Sequence, residues 1–354
     1  MGDFDISQIN PVVDKTTPKT GRDFKSIIKR LVIIFSIFLV VLSVILIYSF
    51  KYRNRPDDVT IGYSDKEGIV LASLAEHLGY FDEKDIKIDF RNYDDELELI
   101  LALSESKIDV AFVEDLAITE AGPAGSDNKI IASVLNAEKY FFVVDTKKGI
   151  FNLSSLSGQD IGVSESYKTD YWLEKGLSNS GVSKRDVVVK NYKPGKLAEE
   201  LANANVTGVF TWQPYVYESE TFEGAEVQQI VLPAQRDEGA YTYMITSQSY
   251  IDNHYDELKD ILLSLITSEE YIENNRDITI EYLTGEWTTE KRYVSEVFST
   301  YNFEVKISQE SKATLSERYE WSKSKSRSDD EDYFIESIYY YNLLREIDPK
   351  RAEF

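Results

Sequence analysis

Cysteine is absent from this chain of 354 residues. That removes disulfides, thiol nucleophiles and Cys-ligated metals. It also removes the usual lipid-attachment residue of bacterial lipoproteins, so any hold on a membrane must come from a helix. Histidine occurs only twice, at His77 and His254. Most zinc sites and Ser-His-Asp triads need imidazole, so both chemistries have little to draw on. Each histidine reads as a surface or packing residue. Basic residues are outnumbered, 39 Lys and Arg against 62 Asp and Glu, for a net charge of −23. Phosphate binding needs a basic surface, so nucleic acid is excluded as a partner.

The charge is divided unevenly. Residues 1–56 hold nine basic and four acidic residues, leaving 30 basic and 58 acidic for the rest, or +5 against −28. Within the basic segment, Leu31–Phe50 (LVIIFSIFLVVLSVILIYSF) runs without a charge. At about 1.5 Å per residue, a helix of about 20 residues spans roughly 30 Å, the thickness of a bilayer's hydrocarbon core. The run is longer than a signal-peptide core, and no small-x-small cleavage site follows it. It reads as an uncleaved signal anchor. Five basic residues lie between Lys19 and Arg30 and three between Lys51 and Arg55. This bias sets residues 1–30 on the cytoplasmic side, as a polar tail containing Pro11 and Pro18, and the C-terminal domain outside.

After Pro56, strand-like and helix-like segments alternate. Val59–Gly62 and Ile86–Phe90 read as strands. Ile69–Leu78 reads as a helix closed by Gly79. Asp94 or Asp95 is placed to cap a helix carrying Leu97, Ile100 and Leu101. Ile108–Val113 is a nearly continuous apolar run, as expected of a strand buried on both faces. The pattern restarts with Lys139–Val144 and Ile161–Val163. A helix carrying Tyr171, Trp172 and Leu173 is expected to end near Gly176. Val187–Val189, a helix at Lys196–Leu201 and a strand at Val206–Trp212 follow. Beyond Tyr241 the chain reads as mainly helical, with Leu258, Ile261, Leu262 and Leu265 as a core-facing stripe. Alternation of this kind predicts α/β architecture with parallel βαβ units.

Five segments, in order, carry a resemblance: IGYSDKEGIVLASLAEHLGYFDE (61–83), ALSESKIDVAFVEDL (102–116), LSSLSGQDIGVSESYKTDYWLEKGL (153–177), VTGVFTWQPYV (206–216) and YNLLREIDPKR (341–351). From about residue 58 onward the chain resembles the type II periplasmic solute-binding proteins of the nitrate/sulfonate/taurine ABC-transporter group, which includes thiamine-pyrimidine-precursor binders. The resemblance implies a two-lobed (Venus flytrap) fold, here behind one transmembrane helix. It divides the chain into lobe I, 57–143 and 236–354, and lobe II, 146–231, joined by a two-stranded hinge with the solute between them. Ser106 stands where that family carries Gly, which suits a turn that is not left-handed.

In open α/β sheets, ligands sit beyond the carboxyl ends of the strands. The expected ligand-binding residues are therefore Tyr63, Ser64 and Asp65 after the first strand, Glu114 and Asp115 after the third, Ser164, Ser166, Tyr167 and Thr169 opening lobe II's helix, and Trp212, Gln213 and Tyr215. Lys66 and Lys168 oppose the carboxylates, and the balance favours a cationic or neutral solute. No cofactor and no metal are called for. The resemblance implies capture of a small molecule for an ABC permease. The alternative is a binding-protein fold reused as a sensor or assembly subunit of a membrane complex, its cleft filled by bulky side chains. Catalysis is not expected: the thiamine-precursor synthases of this fold use His and Cys chemistry, and no carboxylate pair here has a supporting motif.

Overall fold

The computed structural model describes residues 21–53, 58–122, 127–224, 226–232, 239–325 and 335–353. The chain divides into two compact units, Met1–Asp57 and Asp58–Phe354. The first contains helix α1 (Gly21–Arg53), which encloses the whole apolar run. Its described side chains, 28–44, are exposed throughout. Ser36 and Ser43 donate their hydroxyls to the carbonyls of Val32 and Val40, each at 2.8 Å. Such bonds satisfy hydroxyls within the helix itself. Among the described residues, no helix is long and apolar enough to cross a membrane; the stretch 28–44 falls short of the about 20 residues that a span takes. Residues 1–20 of the expected tail lie outside the described residues.

In the second unit the strands are β1 (Val59–Tyr63), β2 (Ile88–Asn92), β3 (Val110–Glu114), β4 (Asn128–Ala137), β5 (Tyr140–Asp145), β6 (Asp160–Val163), β7 (Val188–Asn191), β8 (Gly208–Trp212), β9 (Val227–Val231), β10 (Ala240–Ser247) and β11 (Tyr301–Lys306). They form two sheets, ordered β11-β4-β10-β3-β1-β2 and β7-β6-β8-β5-β9. Each sheet contains a parallel trio, β2-β1-β3 and β7-β6-β8, flanked by an antiparallel strand, β10 or β5. The chain passes from the first sheet to the second between β4 and β5 and returns between β9 and β10. The sequence boundary at 143 falls inside β5, which pairs with β8 and β9 of the second sheet. The division between sheets lies at Glu138–Lys139.

The side-chain alternation of β5 shows why this segment reads as continuously apolar. Tyr140, Phe142 and Val144 enter one core with Trp172 and Leu173, while Phe141 and Val143 enter another with Leu197 and Val216. A strand covered on both faces keeps no polar side. In the first sheet, Gly62 lets two side chains approach the backbone closely. A Cβ there would lie 2.4 Å from Leu99 Cδ1 and 2.6 Å from Ile108 Cδ1.

The helices of this unit begin with α2 (Val70–His77), α3 (Glu96–Ser104), α4 (Asp115–Ala121), α5 (Tyr167–Asn179), α6 (Leu197–Ala202) and α7 (Tyr215–Thr221). Then follow α8 (Gln248–Asn253), α9 (Tyr255–Asn274), α10 (Arg276–Glu286), α11 (Lys291–Thr300), α12 (Gln309–Lys325) and α13 (Asn342–Ile347). Asp95 caps α3 by accepting from the N–H groups of Leu97 and Glu98 at 2.8 and 3.2 Å. Gly79, with φ of +78°, closes α2. The predicted stripe of α9 is fully buried.

Three expectations are corrected. The helix carrying Trp172 runs past Gly176 to Asn179. Gly176 is a packing glycine, since its Cβ would lie 2.5 Å from Leu232 Cδ2, and Gly181 supplies the left-handed turn instead. The region beyond Tyr241 holds two more strands, because the Tyr-Thr-Tyr-Met-Ile-Thr run of β10 inserts between β3 and β4, and β11 pairs with β4. The turn at Ser106 is left-handed, with φ of +56°. Ser106 and Lys107 donate to Leu103 O and Ala102 O, closing α3 in the manner of a Schellman motif. A side chain in this conformation is disfavoured by about 1 kcal/mol relative to glycine. Ser106 is exposed and bears no packing role. Ser106→Gly should therefore stabilise the protein by about 1 kcal/mol. Urea denaturation would show this as a higher midpoint at unchanged slope; a lower midpoint would refute it.

Candidate functional site

The carboxyl ends of β1 and β3 in one sheet, and of β6 and β8 in the other, open onto a cavity of about 590 Å³. Ligand pockets commonly fall in this size range. The loop after β1 contributes Ser64 to Glu67, and the start of α3 contributes Asp94 to Glu96. Glu114 ends β3, and Lys139 and Tyr140 lie at the crossing between sheets. The second sheet brings Ser166 to Lys168 at the start of α5, Pro194, and Trp212 to Tyr215. Trp287, Thr289 and Tyr293 come from the α10–α11 junction.

A five-member ion-pair network lines one side. Lys139 Nζ donates to Asp65 Oδ2 at 2.6 Å and to Glu114 Oε1. Glu114 Oε2 accepts from the Tyr140 hydroxyl at 2.9 Å and faces Lys168 Nζ at 3.2 Å. Lys168 Nζ also lies 2.6 Å from Glu96 Oε2. Glu96 Oε1 accepts from the Ser64 hydroxyl at 3.1 Å and from the Glu114 backbone N–H at 3.2 Å. Asp65 Oδ1 accepts from the Gly68 N–H at 2.6 Å. Nearby, the Tyr293 hydroxyl donates to Glu67.

The local structure explains these positions. Glu114 is the last residue of β3, so its side chain alternates opposite to that of Val113 and leaves the sheet at the cavity. Lys168 sits in the first turn of α5, where the helix dipole disfavours a cation. The two carboxylates opposite it outweigh that cost. Burial would neutralise both lysines, but Asp65 and Glu114 hold Lys139 well above its usual range, and Glu114 and Glu96 do the same for Lys168. Burial also pushes the carboxyl of Glu114 up. Lys139 and Lys168 outweigh it, helped by the hydrogen bonds from Lys139 and Tyr140, and bring it down to about 2. Glu96 and Glu67 are raised, chiefly by burial.

The next residue faces the other way. Asp115 is fully buried and accepts from the N–H groups of Leu116 at 2.7 Å and Tyr241 at 3.2 Å. Its Oδ2 lies 3.7 Å from Nε of the buried Arg318. The Arg318 guanidinium stacks over Tyr171 at 4.5 Å and Trp172 at 4.7 Å and donates to Gly239 O at 3.0 Å. Burial raises Asp115 to about 6 against the opposing pull of Arg318.

Of the expected binding residues, Ser64, Asp65, Glu114, Ser166, Tyr167, Trp212, Gln213 and Tyr215 line the cavity. The other four do not. Tyr63 packs edge-on against Phe90 with ring centroids 6.4 Å apart. Asp115 belongs to the Arg318 cluster. The carbonyl of Ser164 accepts the buried Thr169 hydroxyl at 2.7 Å, and Ser166 caps α5 through the Thr169 N–H at 3.1 Å. Sequence reasoning missed Glu96, Lys139, Tyr140, Trp287 and Tyr293 as wall residues. A lone lysine opening the apolar run KYFFVV was a usable signal, because a lysine in a buried strand must find partners. Both histidines stack on tyrosines, His77 on Tyr282 at 3.8 Å and His254 on Tyr250 at 4.3 Å, away from the cavity.

Oxygens of Asp65, Glu96 and Glu114 lie within 4.8 Å of one another, a spacing that suits a metal ion. Here the ammonium groups of Lys139 and Lys168 occupy the cation's place.

Two similarly ordered sheets around a cavity at their carboxyl ends define the type II periplasmic-binding-protein class. The chain matches the family described as "NMT1/THI5 like" over residues 69–279, and it belongs to that family. Solved structures share the fold. The periplasmic aliphatic sulphonate-binding protein SsuA of Escherichia coli superposes with a TM-score of 0.70 at 16% identity, covering 82% of this chain and 99% of its own. The alkanesulfonate-binding SsuA of Xanthomonas axonopodis pv. citri, bound to MOPS, gives 0.65 at 17%, covering 81% and 99%. The desulfurization enzyme DszB gives 0.62 at 12%, covering 83% and 100%. No curated protein matches the chain.

The network predicts a pH dependence. Glu114 titrates near 2 in the fold and at 4.5 ordinarily. A depressed carboxyl contributes stability above its unfolded value and loses it as pH falls through the folded one, here between 4.5 and about 2. Glu114→Gln should cost about 3 kcal/mol at pH 6. Urea denaturation at stepped pH should show the gap from wild type closing as pH drops below about 4.5. A gap that stays constant with pH would mean that Glu114 is not the ionised partner.

Proposed function

We propose that the globular unit captures a small solute in the cavity between its two sheets and delivers it to an ABC permease. The observation that carries this is the cavity itself: about 590 Å³, walled by both sheets, with polar groups already paired and aromatic side chains exposed to it. Closure of two lobes on a solute is a hinge motion, driven by the better fit of the solute to the closed state. In this reading the lobes follow the sheets, with the first made of residues from 58 to about 138 and from 239 onward, and the second of those between. In this reading the hinge includes the passage between the sheets at Glu138–Lys139.

The related sulphonate binders support solute capture, and the enzyme DszB shows that the same fold also hosts catalysis. A catalytic reading has little support here, since the chain has no cysteine and its two histidines stand away from the cavity. The reading as a sensor or assembly subunit requires a filled cleft, and the cavity volume argues against that.

We also propose that the run Leu31–Phe50 anchors the protein in the cell membrane, with the acidic globular unit outside. The length of the uncharged run and its basic flanks support this. The full chain should stay with membranes through an alkaline wash and leave them only with detergent, whereas residues 57–354 should fractionate as a soluble protein. Release of the full chain by alkali would refute the anchor.

Capture is tested by thermal unfolding of residues 57–354 against amines, amino acids, pyrimidines, sulfonates, nitrate and bicarbonate. At about 100 times its dissociation constant, a bound solute stabilises the fold by roughly 2.7 kcal/mol. A clear rise in Tm with one chemical class is expected, and a flat response across all classes would refute capture.

A further inference from the structure

We infer that the cavity selects a small organic cation and that Glu114 is the residue that turns anions away. This rests on the capture reading and adds the sign of the solute.

The place that would receive an anion is already filled. Two ammonium groups, one of them on the first turn of α5, and the Tyr140 hydroxyl converge as a cradle for one carboxylate-sized anion. The occupant is the protein's own Glu114, 1% exposed. A sulfonate or carboxylate entering the cradle must expel this side chain and leave its charge unpaired beside the new one. That double penalty works against simple anions.

The remaining wall is negative. Asp65, Glu67, Asp94, Asp95, Glu96 and Glu114 face the cavity, against Lys66, Lys139 and Lys168. Six carboxyl groups thus stand against three ammonium groups on this wall. A cleft with low-dielectric walls focuses such an excess. Away from the network the wall is aromatic. Trp212 and Tyr215 meet edge to face at 5.6 Å, and Trp287 lies 6.1 Å from Tyr293. Aromatic faces attract a desolvated cation. A bare metal ion would need the oxygens that the lysines already hold. An alkyl- or arylammonium suits both features: its head lies in the negative field and its organic body lies against the rings.

The test uses the full chain in detergent micelles and calorimetric titration with pairs matched in body and opposite in head. Butylammonium is set against butanesulfonate and benzylammonium against phenylmethanesulfonate, with butanol and benzyl alcohol as neutral partners. In wild type, the ammonium members should bind at least about tenfold more tightly than either partner. Glu114→Gln empties the cradle of its charge, so sulfonate affinity should rise by about tenfold or more while ammonium affinity falls. Should that variant fail to fold, Lys168→Gln decides, because removing a cation from the wall should raise ammonium affinity several-fold. A wild-type preference for sulfonate or alcohol, no gain of sulfonate by Glu114→Gln, or loss of ammonium affinity in Lys168→Gln would each overturn the inference. Sulfonate binding by wild type would leave solute capture standing and remove only the assigned sign. Failure of every solute to bind would remove both.

Discussion

Two adjacent buried carboxylates at the end of β3 tie the halves of the globular unit together. Glu114 reaches into the cavity and is held by Lys139, Tyr140 and Lys168. Asp115 turns the opposite way and is held by Arg318, whose guanidinium lies on Tyr171 and Trp172 of α5. One strand end thus grips the second half from two sides. The alternation of side chains along an extended backbone makes this possible, because neighbours must point apart. Desolvating a carboxylate costs several kcal/mol, so neither residue is tolerable without its partners. Their behaviour differs because their partners do: two cations and a hydroxyl bring Glu114 down to about 2, whereas a guanidinium at 3.7 Å leaves burial in control of Asp115.

The same economy shapes the rest of the cavity. Every lysine of the network serves more than one carboxylate, and Glu114 and Glu96 each bind more than one donor. A network of this kind is preorganised before any solute arrives, so binding need not arrange it. The unspent contact surface is what remains: the rings of Trp212, Tyr215 and Trp287, and the carboxylates nearer the mouth.

Much of this was legible from the residues because the fold concentrates its site at strand ends, and strand ends are where apolar runs break into short polar loops. The loop after Tyr63, the Glu114-Asp115 step and the Trp-Gln-Pro-Tyr segment stood out for that reason. Which member of the Glu114-Asp115 pair faces the cavity was not legible, because it depends on the register of β3 against β1 and β10. Lys139 was visible as a strand residue, but its role depends on a crossing between sheets that only the fold reveals. Trp287 and Tyr293 arrive from a helix junction far along the chain and carry no local sign of it. The strands β10 and β11 were read as part of a helical region, and their place is fixed by β4, a partner far away in the sequence. Ser106 shows the reverse case, where a resemblance flagged an odd residue correctly but the backbone angle could be learned only from the structure.

The packing of α12 on α5 would limit how the proposed hinge motion can open the cavity. Helix α12, reached after the chain has returned to the first sheet, lies against α5 of the second. Besides Arg318 it offers Glu317 to Lys175, and Lys325 to Glu174 at 2.7 Å. The Glu174–Lys325 pair is solvent-exposed and contributes little, about 0–1 kcal/mol. The Arg318 cluster is buried and would be costly to break. Opening is therefore expected to keep α12 seated on α5 and to part the sheets at the cavity mouth, where the contacts across the gap include Lys168 with Glu96 and Glu114, the Tyr140 hydroxyl with Glu114, the Tyr217 hydroxyl with Glu290 at 2.8 Å and Arg292 with Glu220 at 3.2 Å. These contacts weigh on the balance between open and closed arrangements. A solute shifts that balance only through contacts it makes better in the closed state than in the open one. The aromatic rings of the two walls, Trp212 on one side and Trp287 on the other, are placed to supply that difference.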